Sequence, residues 1–188
     1  MLKINMTKSE IEQELSGKGT FVQIDDLNRL LKEPIGIDMK KFIFLKLSSL
    51  YEEGKLLGEA AKMYENAASL SIAFTEKINN YMKAVEFYVK LGSFDRVEET
   101  MRKAMGEANS RKKDEIQISL KQMVKARAEE LESEMKRSHA VKFYERLLEM
   151  HLSDQERREI KERLLDLYRK LGKFHEALAI EKSFENKD

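Results

Sequence analysis

The chain has 188 residues, of which 37% are charged and 41% apolar, with eight Gly, one Pro and a formal net charge of +1. That mix suits amphipathic helices in one domain or one short solenoid rather than sheet or disorder, and its near-neutral balance gives no global pull toward nucleic acid or an anionic membrane. The absence of Cys excludes disulfides, thiol nucleophiles and thiolate metal sites and fits a reducing cytoplasm.

Apolar residues three and four apart run along most of the chain, which is helical periodicity. A first short helix is expected over residues 7–16, with Ser9 and Glu12 at capping-box spacing. A second is expected from Asp25 to Lys32, burying Leu27, Leu30 and Leu31 and closed by Pro34 and Gly36. These two form an N-terminal cap over residues 1–36. Asp38 caps the next helix, which carries Phe42, Leu45, Leu47, Leu50 and Tyr51. A turn at Gly54–Gly58 leads to a helix with Ala60, Ala61, Tyr64, Ala67 and Ala68. Thr75 opens a helix through Ile78, Tyr81, Met82, Val85 and Tyr88, and Gly92 turns the chain into its partner with Val97, Met101 and Ala104. Asp114 opens a long helix through Val124 and Leu131, and Ser138 a shorter one with Ala140, Tyr144 and Leu147. Ser153 and Glu156 form a second capping box ahead of Ile160, Leu164 and Tyr168, and the last helix runs from Phe174 to near the end. No stretch approaches the roughly 18 uninterrupted apolar residues of a membrane span, and Met1–Met6 is too short for a signal-peptide core, so no membrane role is expected.

The residue before each hairpin turn marks an internal repeat: Tyr51, Tyr88, Leu131 and Tyr168 are separated by 37, 43 and 37 residues. Four hairpins are therefore expected, at about 38–74, 75–112, 114–151 and 153–187, packing as one domain. Tyr88, Gly92, Phe94 and Ala104, and again Tyr168, Gly172, Phe174 and Ala177, resemble the tetratricopeptide repeat: an aromatic late in the first helix, Gly at the turn, an aromatic two residues on, then small residues. The other two units keep Ala60, Tyr64 and Ala67, or Ala140, Tyr144 and Leu147, but have Lys55 at the Gly position or only the second helix. The closing Pro of that family is missing, and the period exceeds its roughly 34 residues. Ala60–Ala73 is also similar to the helical hairpins of SNAP-type adaptors, and the whole resembles archaeal tetratricopeptide-like proteins. The resemblance implies an all-α fold, a right-handed superhelical array of antiparallel hairpins, with Tyr64, Phe94, Tyr144 and Phe174 filling gaps between them.

It also implies a concave groove lined by the first helix of each hairpin. That register puts Ser49, Glu86, Glu129 and Asp166 in one row, Glu52 and Glu132 one turn further on, and Leu45 and Met82 beside them as apolar anchors. The sharp expectation is an acidic stripe that prefers a basic peptide or helix; the bland one is a solvated helix face. The row lacks the Lys, Asn and Arg with which carboxylate-binding members hold a chain terminus. Arg111-Lys112-Lys113 and Lys40-Lys41 leave open an RNA-binding module, though no aromatic platform adjoins them. A structural homo-oligomer is a further alternative. Lys18-Gly19-Thr20 lacks the spacing of a phosphate loop. His139, His151 and His175 have no ligand-spaced partners, so neither metal, cofactor nor catalytic residue is expected, and the leading reading is a non-enzymatic protein-binding adaptor.

Overall fold

The computed structural model describes residues 2–185; Met1 and residues 186–188, with the outer ends of the expected segments 1–36 and 153–187, lie outside them. Among the described residues there are ten helices: α1 Lys8–Leu15, α2 Thr20–Leu30, α3 Ile37–Glu53, α4 Leu57–Leu70, α5 Phe74–Leu91, α6 Phe94–Gly106, α7 Ser110–Ser133, α8 Arg137–Leu148, α9 Asp154–Lys170 and α10 Phe174–Glu185. The fold is all-α.

Several helix starts differ from the expected ones. The first capping box is Thr7 with Glu10, whose carboxylate accepts from the Thr7 N–H at 2.7 Å; Ser9 already lies inside α1. Helix α2 begins at Thr20 rather than Asp25, and its first residues Phe21 and Val22 stand 77% and 53% exposed, so they contributed nothing to an inward apolar stripe. Gly36, Ala73 and Lys136 precede α3, α5 and α8, each two residues ahead of the expected caps Asp38, Thr75 and Ser138. Asp38 instead pairs with Lys8 at 2.6 Å. Helix α7 starts four residues before Asp114, and Asn109 Oδ1 accepts from the Lys112 N–H at 2.9 Å. Ser153 and Glu156 form the capping box anticipated for α9.

The four turn markers share one hydrogen-bond geometry. The carbonyls of Tyr51, Tyr88, Leu131 and Tyr168 accept from the N–H groups of Leu56, Ser93, Lys136 and Lys173 at 2.8, 3.0, 2.8 and 2.8 Å. This six-to-one bond needs one left-handed residue past the helix end. Gly92 and Gly172 supply it at φ 68° and 70°; Lys55 and Met135 supply it at 57° and 60° despite their side chains. The repeat read from sequence is thus a repeated turn, made even where Gly is missing.

The chain divides into two compact units, Met1–Ile116 and Gln117–Asp188, with the boundary inside α7. In the first, Ile11 and Leu15 of α1 and Leu27 and Leu30 of α2 pack with Ile43, Leu47 and Leu50 of α3. Helix α3 then packs on α4, α4 on α5 and α5 on α6. Ala60, Ala61, Ala67 and Ala68 have no exposed surface, and their lack of bulk lets α4 lie close to both neighbours. In the second unit α8 packs on α9 and α9 on α10, around Ala140, Tyr144, Leu147, Leu164 and Leu167. Phe174 fills no gap: it is 71% exposed, whereas Tyr144 is fully buried and Tyr64 stacks on Phe87 at 5.8 Å.

Candidate binding face

Leu45, Ser49 and Glu52 lie three and four residues apart on α3, hence on one face, and Met82 and Glu86 likewise on α5. Helices α3 and α5 are tied at their first turns by Lys41 and Glu76, 2.9 Å apart. At mid-helix the Lys83 ammonium is held above its usual range, foremost by its hydrogen bond to Glu86 and to a lesser degree by the charge of Glu52 and the Tyr64 hydroxyl. Lys83 thus feels both Glu86 on its own helix and Glu52 on α3. Ser49 and Glu52 are exposed, while Leu45, Met82 and Glu86 are half-buried.

The carboxylates of the row are not free. Glu86 sits between Lys83 at 3.1 Å and Lys90 at 2.8 Å. Partial burial pushes its carboxyl up, but the bonds from Lys90 and Lys83 outweigh that and hold it below the ordinary range. Glu129 and Asp166 belong to the second unit, on α7 and α9. There Arg163 reaches Glu129 at 3.7 Å and Glu132 at 3.2 Å, and Lys170 pairs with Asp166 at 2.5 Å. The single acidic row read from sequence resolves into one charged set in each unit, with acids and bases alternating.

Five positions correspond at an interval of 80: Glu52 with Glu132, Tyr64 with Tyr144, Lys83 with Arg163, Glu86 with Asp166 and Lys90 with Lys170, whereas Leu45, Ser49 and Met82 meet Lys125, Glu129 and Glu162. In the second unit the Tyr144 hydroxyl donates to Glu132 at 2.8 Å. Burial, then that carboxylate, push the Tyr144 hydroxyl well above its usual pKa, so it stays a neutral donor.

The most organised polar cluster was not anticipated. Glu65, on α4, is 8% exposed and accepts from Tyr88 Oη at 2.9 Å, Arg96 Nη2 at 2.6 Å, Thr100 Oγ1 at 3.0 Å and Lys103 Nζ at 3.2 Å. Outside it, Glu99 pairs with Arg96 at 2.6 Å and Lys103 at 2.9 Å, closing a ring of two acids and two bases. The ring fastens α4, α5 and α6 together. Its trace in the sequence is the pair Tyr64-Glu65, which recurs as Tyr144-Glu145, each followed 23 residues after the Glu by Tyr88 or Tyr168. Burial foremost, with the Glu65 carboxylate adding to it, raises the Tyr88 hydroxyl despite the opposing Arg96 guanidinium.

Members of the basic runs are partnered too: Arg111 and Lys112 with Glu115 at 3.3 and 3.0 Å, and Lys41 with Glu76. Among the described residues no group of three or more His, Cys, Asp or Glu side chains is placed to hold a metal ion, and no helix is long and apolar enough to cross a membrane. No protein-family model matches the chain. A search of curated proteins finds no match either.

Proposed function

We propose that this chain is a non-catalytic, tetratricopeptide-like solenoid scaffold that docks a peptide or short helix of a partner protein on the first helices of its hairpins. The observation that carries this reading is the α3–α5 face of the first unit. It combines two half-buried apolar side chains, Leu45 and Met82, with exposed Ser49 and Glu52 and the carboxylate of Glu86. Apolar anchors ringed by polar groups are the usual make-up of a small docking surface. A ligand with Lys or Arg beside an apolar residue complements it, since its cations can share Glu52 and Glu86 with Lys83. In the second unit Glu129 and Asp166 would supply charge alone, since Lys125 and Glu162 stand where Leu45 and Met82 do in the first.

The test is selection from a random peptide display library on the immobilised chain. Enrichment of peptides carrying basic and apolar residues together is expected. Their binding should be lost in the Glu52→Arg, Glu86→Gln, Met82→Ala variant while its thermal unfolding by circular dichroism stays cooperative. A library that enriches nothing, or selected peptides that bind the variant as tightly, would overturn the reading.

A further inference from the structure

Helices α6 and α10 hold equivalent places in their units, each following the Gly turn after a Tyr that donates to a Glu, which is buried at Glu65 and exposed at Glu145. Tyr88 donates to Glu65 at 2.9 Å and Tyr168 to Glu145 at 2.6 Å. Beyond that the copies diverge. The α6 donors Arg96, Thr100 and Lys103 correspond to Glu176, Ile180 and Ser183 on α10, which bring no hydrogen bond to Glu145. Glu176 pairs instead with Lys173 at 3.7 Å, and Ser183 accepts from Lys161 at 2.8 Å. The apolar seam differs in the same direction. Val97, Thr100, Met101 and Ala104 are buried on α6, but among the described side chains of α10 only Ala177 is, while Phe174 and Leu178 are 71% and 48% exposed. What ties α10 to α9 lies at the rim: the Lys161–Ser183 bond, Lys161 over the Phe184 ring at 5.7 Å, and an ion pair between Arg169 and Glu181.

We propose that α10 is a strap that opens and closes on α9 by itself, because the latch that fastens its counterpart α6 has been lost from this copy. Segments with few buried apolar contacts and solvent-exposed ties open locally at a small fraction of the global cost. Opening exposes the inner face of α10, with Ala177 and Ile180, and the flank of α9 at Lys161 and Arg169. The second unit thus has a closed and an open form, and a ligand that prefers the uncovered flank of α9 would shift it to the open one. This goes beyond the docking face above, which lies on α3 and α5.

Native-state hydrogen exchange of the full chain, read by mass spectrometry as protection factors, tests it. In the wild type the α10 amides should exchange roughly 100-fold faster than those of α6. Glu176→Arg places a guanidinium where Arg96 stands in the other copy, within the reach of Glu145 and Tyr168. It should slow α10 exchange by roughly two- to fivefold, as an exposed ion pair to a carboxylate does, and the gain should vanish when Glu145→Ala is added. Glu176→Gln, which removes the acid without supplying the latch, should change little. Protection of α10 equal to that of α6, or an effect of Glu176→Arg no larger than that of Glu176→Gln, would overturn the proposal.

Discussion

Removing the Glu65 carboxylate tests whether the ring around it holds the first unit together or merely decorates it. In Glu65→Ala the Tyr88 hydroxyl and the Thr100 hydroxyl lose their acceptor, and these residues are 4% and 0% exposed. An orphaned buried donor costs about 1–3 kcal/mol. Arg96 and Lys103 lose a partner as well, but their side chains are 42% exposed and both keep Glu99, so water and that carboxylate absorb most of the charge. The cost therefore falls near the sum of the two hydroxyl terms, about 3 kcal/mol, at the low end of what breaking a buried pair exacts. That is a large share of the roughly 5–15 kcal/mol of a typical domain. Glu99→Ala opens the same ring from its solvent side, orphans no buried group, and should cost far less. Urea unfolding followed by circular dichroism, with the slope of the transition compared between variants, measures both. If Glu65→Ala unfolds within about 1 kcal/mol of the wild type, or no earlier than Glu99→Ala, then the buried donors find other partners and the ring is not the clamp described.

The turns give a second pair of outcomes: Lys55→Gly and Met135→Gly, relieving side chains at φ 57° and 60°, should each raise stability by about 0.5–1 kcal/mol, and Gly172→Ala, at φ 70° with nothing within 4 Å of its new Cβ, should lower it by about 1 kcal/mol through backbone strain alone. Thermal melts that rank the four chains otherwise would refute the shared-turn argument. The third concerns acid. Hydrogen bonds from Lys121 first, then from the Ser153 backbone, hold Glu156 at about 2, so its contribution is complete above the unfolded carboxylate value near 4.3 and drains away as pH falls from there toward 2. The fall in melting temperature across that window should be shallower in Glu156→Gln; equal slopes would show that the carboxylate does not couple to folding.

The repeat was legible because a hairpin turn has local chemistry. Gly92 and Gly172 sit where only a left-handed residue closes the six-to-one bond, and Ala60, Ala67, Ala104, Ala140 and Ala177 sit where helices touch; all five are buried. Helix starts were less legible, since Thr75 and Ser138 are good caps in isolation but packing set the ends two residues earlier, at residues with no capping side-chain bond. The Glu65 ring was hidden for a different reason. Its members come from α4, α5 and α6 and are up to 38 residues apart, and an acid in the middle of a Lys- and Glu-rich helix carries no mark of burial. The binding face fell between these cases. Periodicity placed Leu45, Ser49 and Glu52 on one side of α3 and Met82 with Glu86 on one side of α5, but their charge balance depended on Lys83, Lys90, Arg163 and Lys170, which a row of acids alone does not reveal.

What the two copies share and what they have dropped bear differently on function. The turn geometry and the small residues recur because every hairpin needs them to pack, and the Tyr–Glu bond recurs at Tyr88 and Tyr168. The charged sets do not have that excuse. Glu86–Lys90 and Asp166–Lys170 are one-turn pairs on solvent-facing helix surface, 28% to 52% exposed on the side chain. Such a pair is worth only about 0.2–0.5 kcal/mol to its helix. Glu52, Lys83 and Arg163 also stand outside the apolar core, whereas Glu132 accepts from the buried Tyr144 hydroxyl at 2.8 Å; the order acid, base, acid, base is spelled in both units. The latch donors of α6, which bring far more to packing, were not kept on α10. The proposed docking role would account for the recurrence of the Glu86–Lys90 and Asp166–Lys170 pairs, which bring little to folding, while the internal latch of α6 lapses on α10.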